Sequence, residues 1–413
     1  MAPRPNVTIN KTNGNLGRRA PSTDNVFGLI ISAPAIAGGM QNGVVYAMAS
    51  INDAIAIGIT AAYDATNTIL VYHHIYRFFL RNPSATLYFM SAPQTAALAD
   101  MTLSTGNYAP VLLKSQNGNI KYVGVARNPA AGYTPTLTAG LDGDVLTAVN
   151  NAQALYTAEF SKYRYAGFLI EGRSFNGTAA AATNLRGLNC PNVSVTIAAD
   201  NAISTSKTQY AGYAAVGDVL GILSLAKVSQ DLGELTPSFN LQNLGLGLFA
   251  TAGLSSGLPM SSYADADLDT LNTSGYIFPD VTAGVSGYYL SDSHTCSSIT
   301  SNDFAYIENN RTIEKAIFLA RQAILPLVKS RIKVDPITGL LLPQQAKAIE
   351  TLGERSLAGM YKDGDISGGI DCFVDRNQNI LSTSQLLIQL TFVPVAIGRA
   401  ITLSLGFTNP YRK

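Results

Sequence analysis

Between Asp64 and Asp200 apolar helical stretches alternate with short β-branched runs, and no other feature of the chain restricts its fold as strongly. Parallel strands need a crossover of a dozen or so residues, which a helix supplies, so this alternation predicts a largely parallel sheet with helices on its faces. The expected elements are a helix over 67–80 stopped at Asn82-Pro83, a strand over 85–90, a helix over 94–101, and strands over 111–113 and 120–125 around Asn117-Gly118. A helix over 144–160, a strand over 167–170, a helical stretch over 178–188 and a strand over 193–198 follow. Ahead of this region Phe27 to Ile31 and Val44 to Ala47 read as strands, and Asn52-Asp53-Ala54 opens a helix. Behind it, 213–233 reads as an Ala- and Gly-containing helix that packs closely on a neighbour, 266–277 holds a short helix, and 284–290 reads as a strand entering a last domain.

The 413 residues have room for two or three domains, and 47% hydrophobic content is ample for real cores. Net charge is +1, which leaves no general basic field for nucleic acid or an anionic membrane. Charged residues make up 13%, against roughly 25% in ordinary soluble domains. So few charges leave a free surface poorly protected, and the expectation is an oligomer whose surface is covered by neighbours. The first residues, MAPRPNVTIN, hold no apolar signal-peptide core, and no apolar run reaches the roughly 18 residues of a membrane span. Folding in a cytoplasm without membrane insertion is expected. Cys190, Cys296 and Cys372 are scattered, without CxxC spacing, which argues against zinc and disulfides.

The motifs that could carry chemistry are weak in context. Gly253-Leu254-Ser255-Ser256-Gly257 matches a hydrolase nucleophile elbow, with Asp292 and His294 downstream, but Leu258-Pro259 follows where a helix is required. Asp265, Asp267 and Asp269 alternate as in a calcium loop, yet Thr270 replaces the turn glycine and Tyr276 the bidentate Glu, so an acidic helix start is the reading. Gly245-x-Gly247-x-x-Ala250 lacks a preceding strand. His73 and His74 are adjacent on a helix, about 100° apart, and cannot chelate one metal together. No catalytic residue, cofactor or metal is expected.

In the last third, Ile313, Ile317, Ala320, Ile324 and Val328 fall at helical steps and predict one buried apolar face, with Pro326 ending the helix near Leu325. Arg311, Lys315, Arg321, Lys329, Arg331 and Lys333 are open to two readings, a solvated face or a docking surface. Asp335-Pro336-Ile337-Thr338-Gly339 reads as a tight turn, a second helix spans 343–360, and strands are expected over 370–374, 386–393 and 401–407. With the Leu268-Asp269-x-Leu271-Asn272-x-x-Gly275 helix end, Val393-Pro394, and the Ser50 to Gly58 segment, this pattern resembles contractile-tail sheath proteins of phages and phage-derived injection machines. His294-Thr295-Cys296 departs from it at a place where an Arg is common.

The resemblance implies a structural subunit that stacks as six-fold rings around an inner tube protein and contracts to drive the tube through a target envelope. It also implies baseplate and terminator partners, linkage through exchanged terminal arms, and residence in a virion tail or injection particle. The competing readings are a non-contractile shell or capsid-like protein and a serine hydrolase using Ser255. The expected fold class is α/β, a mixed, largely parallel sheet, plus a smaller α+β C-terminal domain and extended arms. The expected divisions are an arm over 1–25, an outer α/β region over 26–283, a tube-facing α+β domain over 284–398 and a C-terminal arm over 399–413. Val7 and Ile9 form one short strand and Ile401, Leu403, Leu405 and Phe407 another, each expected to pair with a neighbouring subunit. The mixed face of Lys347, Glu350, Glu354 and Arg355 is the expected tube contact.

Overall fold

The computed structural model describes residues 23–242 and 249–408. Seven strands form the central sheet: β1 (Val26–Ser32), β2 (Val45–Met48), β3 (Thr86–Ala92), β4 (Tyr122–Ala126), β5 (Gly167–Glu171), β6 (Val193–Thr196) and β7 (Tyr276–Ile277). Their order is β7-β6-β5-β4-β1-β3-β2, parallel throughout except that β2 runs antiparallel to β3. The strands read as near-continuous apolar runs because both faces are covered, which removes the alternation of a half-solvated sheet. The α/β reading therefore holds.

Two glycines show how closely the covering helices approach. A methyl on Gly28 would meet Leu112 in the helix Ala109–Ser115 at 2.9 Å, and one on Gly124 would meet Val216 at 2.9 Å on the opposite face. Leu112 and Leu113 are thus buried in a helix, not in the strand expected over 111–113. A short apolar run does not declare its period, and Pro110 at the start of the helix was the overlooked signal.

Helix α1 (Val71–Arg81) begins where the buried Asp64 carboxylate accepts the N–H groups of Val71, Tyr72 and His73, at 3.0, 3.0 and 2.9 Å. The helix expected from residue 67 is broken ahead of this point by Thr68, whose φ of 55° ends a separate helix, Ala61–Asn67. Helix α2 (Gly143–Phe160) matches its expectation. The stretch over 94–101 is helical only at Leu98–Thr102, and 178–188 is two short turns of 3₁₀ helix. Helix α3 (Val216–Leu225) is shorter than the expected 213–233 but packs as closely as its glycines suggested. A methyl on Gly217 would lie 2.3 Å from the His74 carbonyl oxygen. Of the strand expected over 284–290 only Tyr289–Leu290 forms.

The chain ends in a smaller unit. Helix α4 (Ile307–Ile324) ends two residues before Pro326, near Leu325 as expected, and a 3₁₀ turn over Leu325–Leu327 follows. In the Asp335 turn the carboxylate accepts the N–H groups of Ile337 and Thr338 at 2.9 and 2.7 Å. Helix α5 (Pro343–Asp363) follows, then the antiparallel pair β8 (Ile366–Phe373) and β9 (Gln389–Pro394). One face of this two-stranded sheet packs on α4 and α5 through a cluster of Ala316, Leu357, Met360 and Ile366. The main core, by contrast, runs continuously from Phe27 to Ile307.

Candidate functional site

The crevice outside the carboxyl ends of β1 and β4, where strand order reverses, is the usual ligand position in an open α/β sheet. Here Asn128, just beyond β4, ties the end of β1 to the start of α1, and a cavity of 310 Å³ opens beyond β4 and β5, lined by Tyr133, Arg173, Phe175 and Ser255. Asn128 Nδ2 donates to the Ser32 carbonyl at 3.0 Å, its N–H donates to Ser32 Oγ at 2.7 Å, and its Oδ1 accepts from Leu70 N–H at 3.0 Å. Ser255 is buried and its hydroxyl donates to the Gly172 carbonyl at 2.5 Å. His294 contacts Arg186 Nη2 through Nδ1 at 2.6 Å and Asn272 Oδ1 through Nε2 at 2.7 Å. Ser255 of the supposed elbow and the downstream His294 therefore serve separate networks. His73 and His74 are held neutral, burial lowering both to about 3, and His74 Nδ1 accepts the Gly217 N–H. Asp267 caps its own helix by accepting Ala264 N–H at 3.3 Å. No His, Cys, Asp or Glu cluster able to hold a metal occurs among the described residues. Gly245 and Gly247, like Val7 and Ile9, lie outside them.

The features that invite a partner gather in the last third. Beyond β9 the chain runs as coil, and Ile401 and Leu403 are 89% and 77% exposed, with Leu405 and Phe407 alike. The strand expected over 401–407 is not formed in this isolated chain: a strand exists only against a hydrogen-bonding partner, and its alternating apolar side chains find none here. The β8–β9 sheet is itself unfinished. Both outer edges are unpaired among the described residues, and Phe373, Val393 and Leu387 stand exposed beside them. A cavity of 560 Å³ opens along β9, walled by Ile299, Phe304, Ile313, Leu390, Phe392 and Pro394.

Of the four residues read as a tube contact, Lys347 and Arg355 are exposed and Glu354 is half-buried. Glu350 does not belong with them. It is buried, its carboxylate accepting Val374 N–H at 3.3 Å and pairing with Lys347 at 3.3 Å, so it braces β8 on α5.

Helix α4 also departs from its sequence reading. The apolar positions Ile313, Ile317, Ala320 and Ile324 are only half-buried and Val328, beyond the helix, is exposed, whereas Glu308, Asn310, Arg311 and Glu314 are buried against the α/β body. Arg311 donates to the carbonyls of Ala226 and Lys227, both at 3.3 Å, at the end of α3. Asn192 Nδ2 donates to Asn310 Oδ1 at 3.1 Å and to Glu314 at 3.4 Å. Arg311 and Lys315 are thus neither solvated nor available for docking, while Lys329, Arg331 and Lys333 are exposed. No sequence signal separates these groups, because helical spacing alone cannot say which side meets a polar neighbour.

Two chain-end contacts complete the geometry. Arg399 donates from Nε to both oxygens of Asp292 at 2.9 and 3.1 Å, and from Nη2 to Asp231 at 2.8 Å and Glu308 at 2.6 Å. Its guanidinium lies 3.5 Å over the Tyr306 ring. At the other end, Lys315 Nζ bridges Asp24 at 2.5 Å and Asp365 at 2.7 Å.

Comparison with solved structures gives these features a setting. Over 99% of both chains the fold is similar to the helical sheath of the anti-feeding prophage in its contracted state, with a TM-score of 0.62 at 15% identity. It is similar to the contracted sheath complex of the extracellular contractile injection system PVC over 98% of both chains, with a TM-score of 0.58 at 11% identity. A sheath tail protein from Listeria innocua matches with a TM-score of 0.54 at 9% identity, over 91% of this chain and 92% of that one. No curated protein sequence matches the chain. The fold is that of the contractile-tail sheath proteins. Residues 4–294 match the family model described as the DUF2586 N-terminal domain and 303–412 its C-terminal domain, and the chain belongs to the DUF2586 family.

Proposed function

We propose that the chain is the subunit of a contractile sheath that polymerises around an inner tube and shortens to drive it through a target envelope. The observation that carries this reading is the pairing of an exposed, alternating apolar chain end with a two-stranded sheet whose edges are open. Together they have the makings of strand addition between copies. Burying four apolar side chains offers about 6 to 12 kcal/mol, while ordering seven residues costs about 10 kcal/mol. One exchanged strand is marginal alone, but many in a connected lattice raise each other's effective concentration.

On this reading the C-terminal unit faces the tube and exposed Lys347 and Arg355 reach it, while the α/β body lies outside. Six-fold rings, a baseplate and a terminator are the partners of such a lattice, in a phage tail or an injection particle. No helix among the described residues is long and apolar enough to cross a membrane, which suits a subunit that acts by assembly. The chain works without catalysis or cofactor, and the separate networks of Ser255 and His294 support this.

The test is to produce the protein with and without a candidate inner-tube protein and to examine both by electron microscopy. Tubes that shorten and widen, formed on the inner tube, are expected. Closed shells or monomers in both samples would overturn the reading, as would an esterase activity lost in Ser255→Ala.

A further inference from the structure

Glu308 and Lys315 are seven residues apart on α4, and seven helical steps return within about 20° to the same face, about 10 Å along the axis. Between them on that face stands Arg311, buried and tied to the end of α3. The two contacts that hold the chain ends therefore fall on one stripe of one helix. Glu308 receives the cation of Arg399, five residues beyond the end of β9, and Lys315 receives the anion of Asp24, two residues before β1. Each contact is reinforced from a separate element. Asp231 and Asp292 close around Arg399, and Asp365, just ahead of β8, joins Asp24 on Lys315.

Both sites are built rather than incidental. The Glu308 side chain is 3% exposed and that of Asp365 4%, so losing either partner strands a desolvated charge. Three carboxylates converge on one guanidinium, and burial, together with the hydrogen bond to Asp292, raises the Asp231 carboxyl. Tyr306, the residue before α4, fixes the Arg399 plane from below and faces the more distant Arg186 guanidinium at 5.4 Å. Asp24 and Arg399 flank the described body, one just ahead of β1 and the other just beyond β9, and neither belongs to the main core.

We propose that α4 is the common anchor of both exchanged ends, Glu308 with Asp231 and Asp292 gripping the root of the C-terminal arm through Arg399, and Lys315 with Asp365 gripping the root of the N-terminal arm through Asp24. Tension entering a subunit from one neighbour then crosses to the next through two turns of this helix, bypassing the open β8–β9 sheet. Arg399 and Lys315 act as positioning residues: they aim the arms and touch no partner. The partner is a second copy of this chain, so the tension path rests on the sheath reading, while the grip itself does not.

The experiment separates the two. Nitroxide labels placed at Thr402 and, in a second sample, at Thr23 are each paired with one at exposed Thr300, and distances are measured by pulsed EPR on the soluble full chain. Both distributions are expected to be narrow. Arg399→Ala broadens the Thr402 distribution and leaves the Thr23 one unchanged, Lys315→Met does the reverse, and Lys315→Arg restores the Thr23 width. Sheath lengths are then counted in micrographs, and each broadening variant should yield about tenfold fewer full-length particles. Unchanged distances overturn the grip, whatever the particle counts. Broadened distances with normal lengths overturn the tension path. If the unmutated chain forms no polymer, the sheath reading fails, the tension path fails with it, and the distances still decide the grip.

Discussion

The α/β body and the C-terminal unit solve the same problem differently. The body buries a continuous core on both faces of a seven-stranded sheet and pairs its interior charges, as in Arg77 with Asp200 and Arg81 with Asp218. The C-terminal unit has two small clusters, a two-stranded sheet with open edges, and exposed Phe373, Leu387 and Val393. A sheet of two strands is marginal alone. Among the described residues the body thus closes its own sheet and core, while the C-terminal unit leaves sheet edges and apolar side chains open, and on the proposed sheath reading those are what neighbours would cover.

The sharpest way to break this contrast is at the chain end. Leu403→Asp combined with Leu405→Asp should abolish long polymers in electron micrographs. The soluble subunit should unfold within about 0.5 kcal/mol of the parent, because both side chains are already in water. Next in size, Phe89→Ala, at a fully buried position of β3, should cost about 3 to 5 kcal/mol in denaturant unfolding. The half-buried Phe392 in β9 should cost much less in the monomer, with its main effect on assembly.

A third effect is read in pH. Burial raises Glu314 from the 4.5 of a free side chain to about 7, against the opposing hydrogen bonds of Tyr156 and Asn192 and the charges of Lys121 and Arg311. Between these values the unfolded chain ionises while the folded one keeps its proton. Stability that is full below about pH 4.5 is therefore lost as pH rises through 7, on the order of 3 kcal/mol in total. Glu314→Gln should flatten that decline in unfolding free energy measured across this window. The smallest effect belongs to the exposed helix face. Reversing Lys347 and Arg355 to Glu should shift monomer stability by no more than about 1 kcal/mol, while the fraction of sheath assembled on tubes falls in co-sedimentation.

Much of the body was legible in the sequence. Helix and strand alternation predicted the parallel sheet, Pro326 ended α4, and the glycines of α3 announced close packing, since each of these depends on local chemistry. The misses share a cause. Leu112 and Leu113 sit in an apolar run too short to declare a period, and Glu350 looked like its solvated neighbours until β8 was laid against it.

By itself the sequence determined the layered α/β class, the alternating apolar pattern of the chain end and the scarcity of surface charge. These properties are written in backbone periodicity and composition. The tertiary structure alone decided that α4 turns its charged face inward, that Arg399 meets Asp231, Asp292 and Glu308, and that Lys315 bridges Asp24 and Asp365. Lys315 and Asp24 are 291 positions apart in the chain. A charge pattern states which groups must be neutralised, but the partner that reaches a buried charge is chosen by the packing of distant elements, since only there is water excluded.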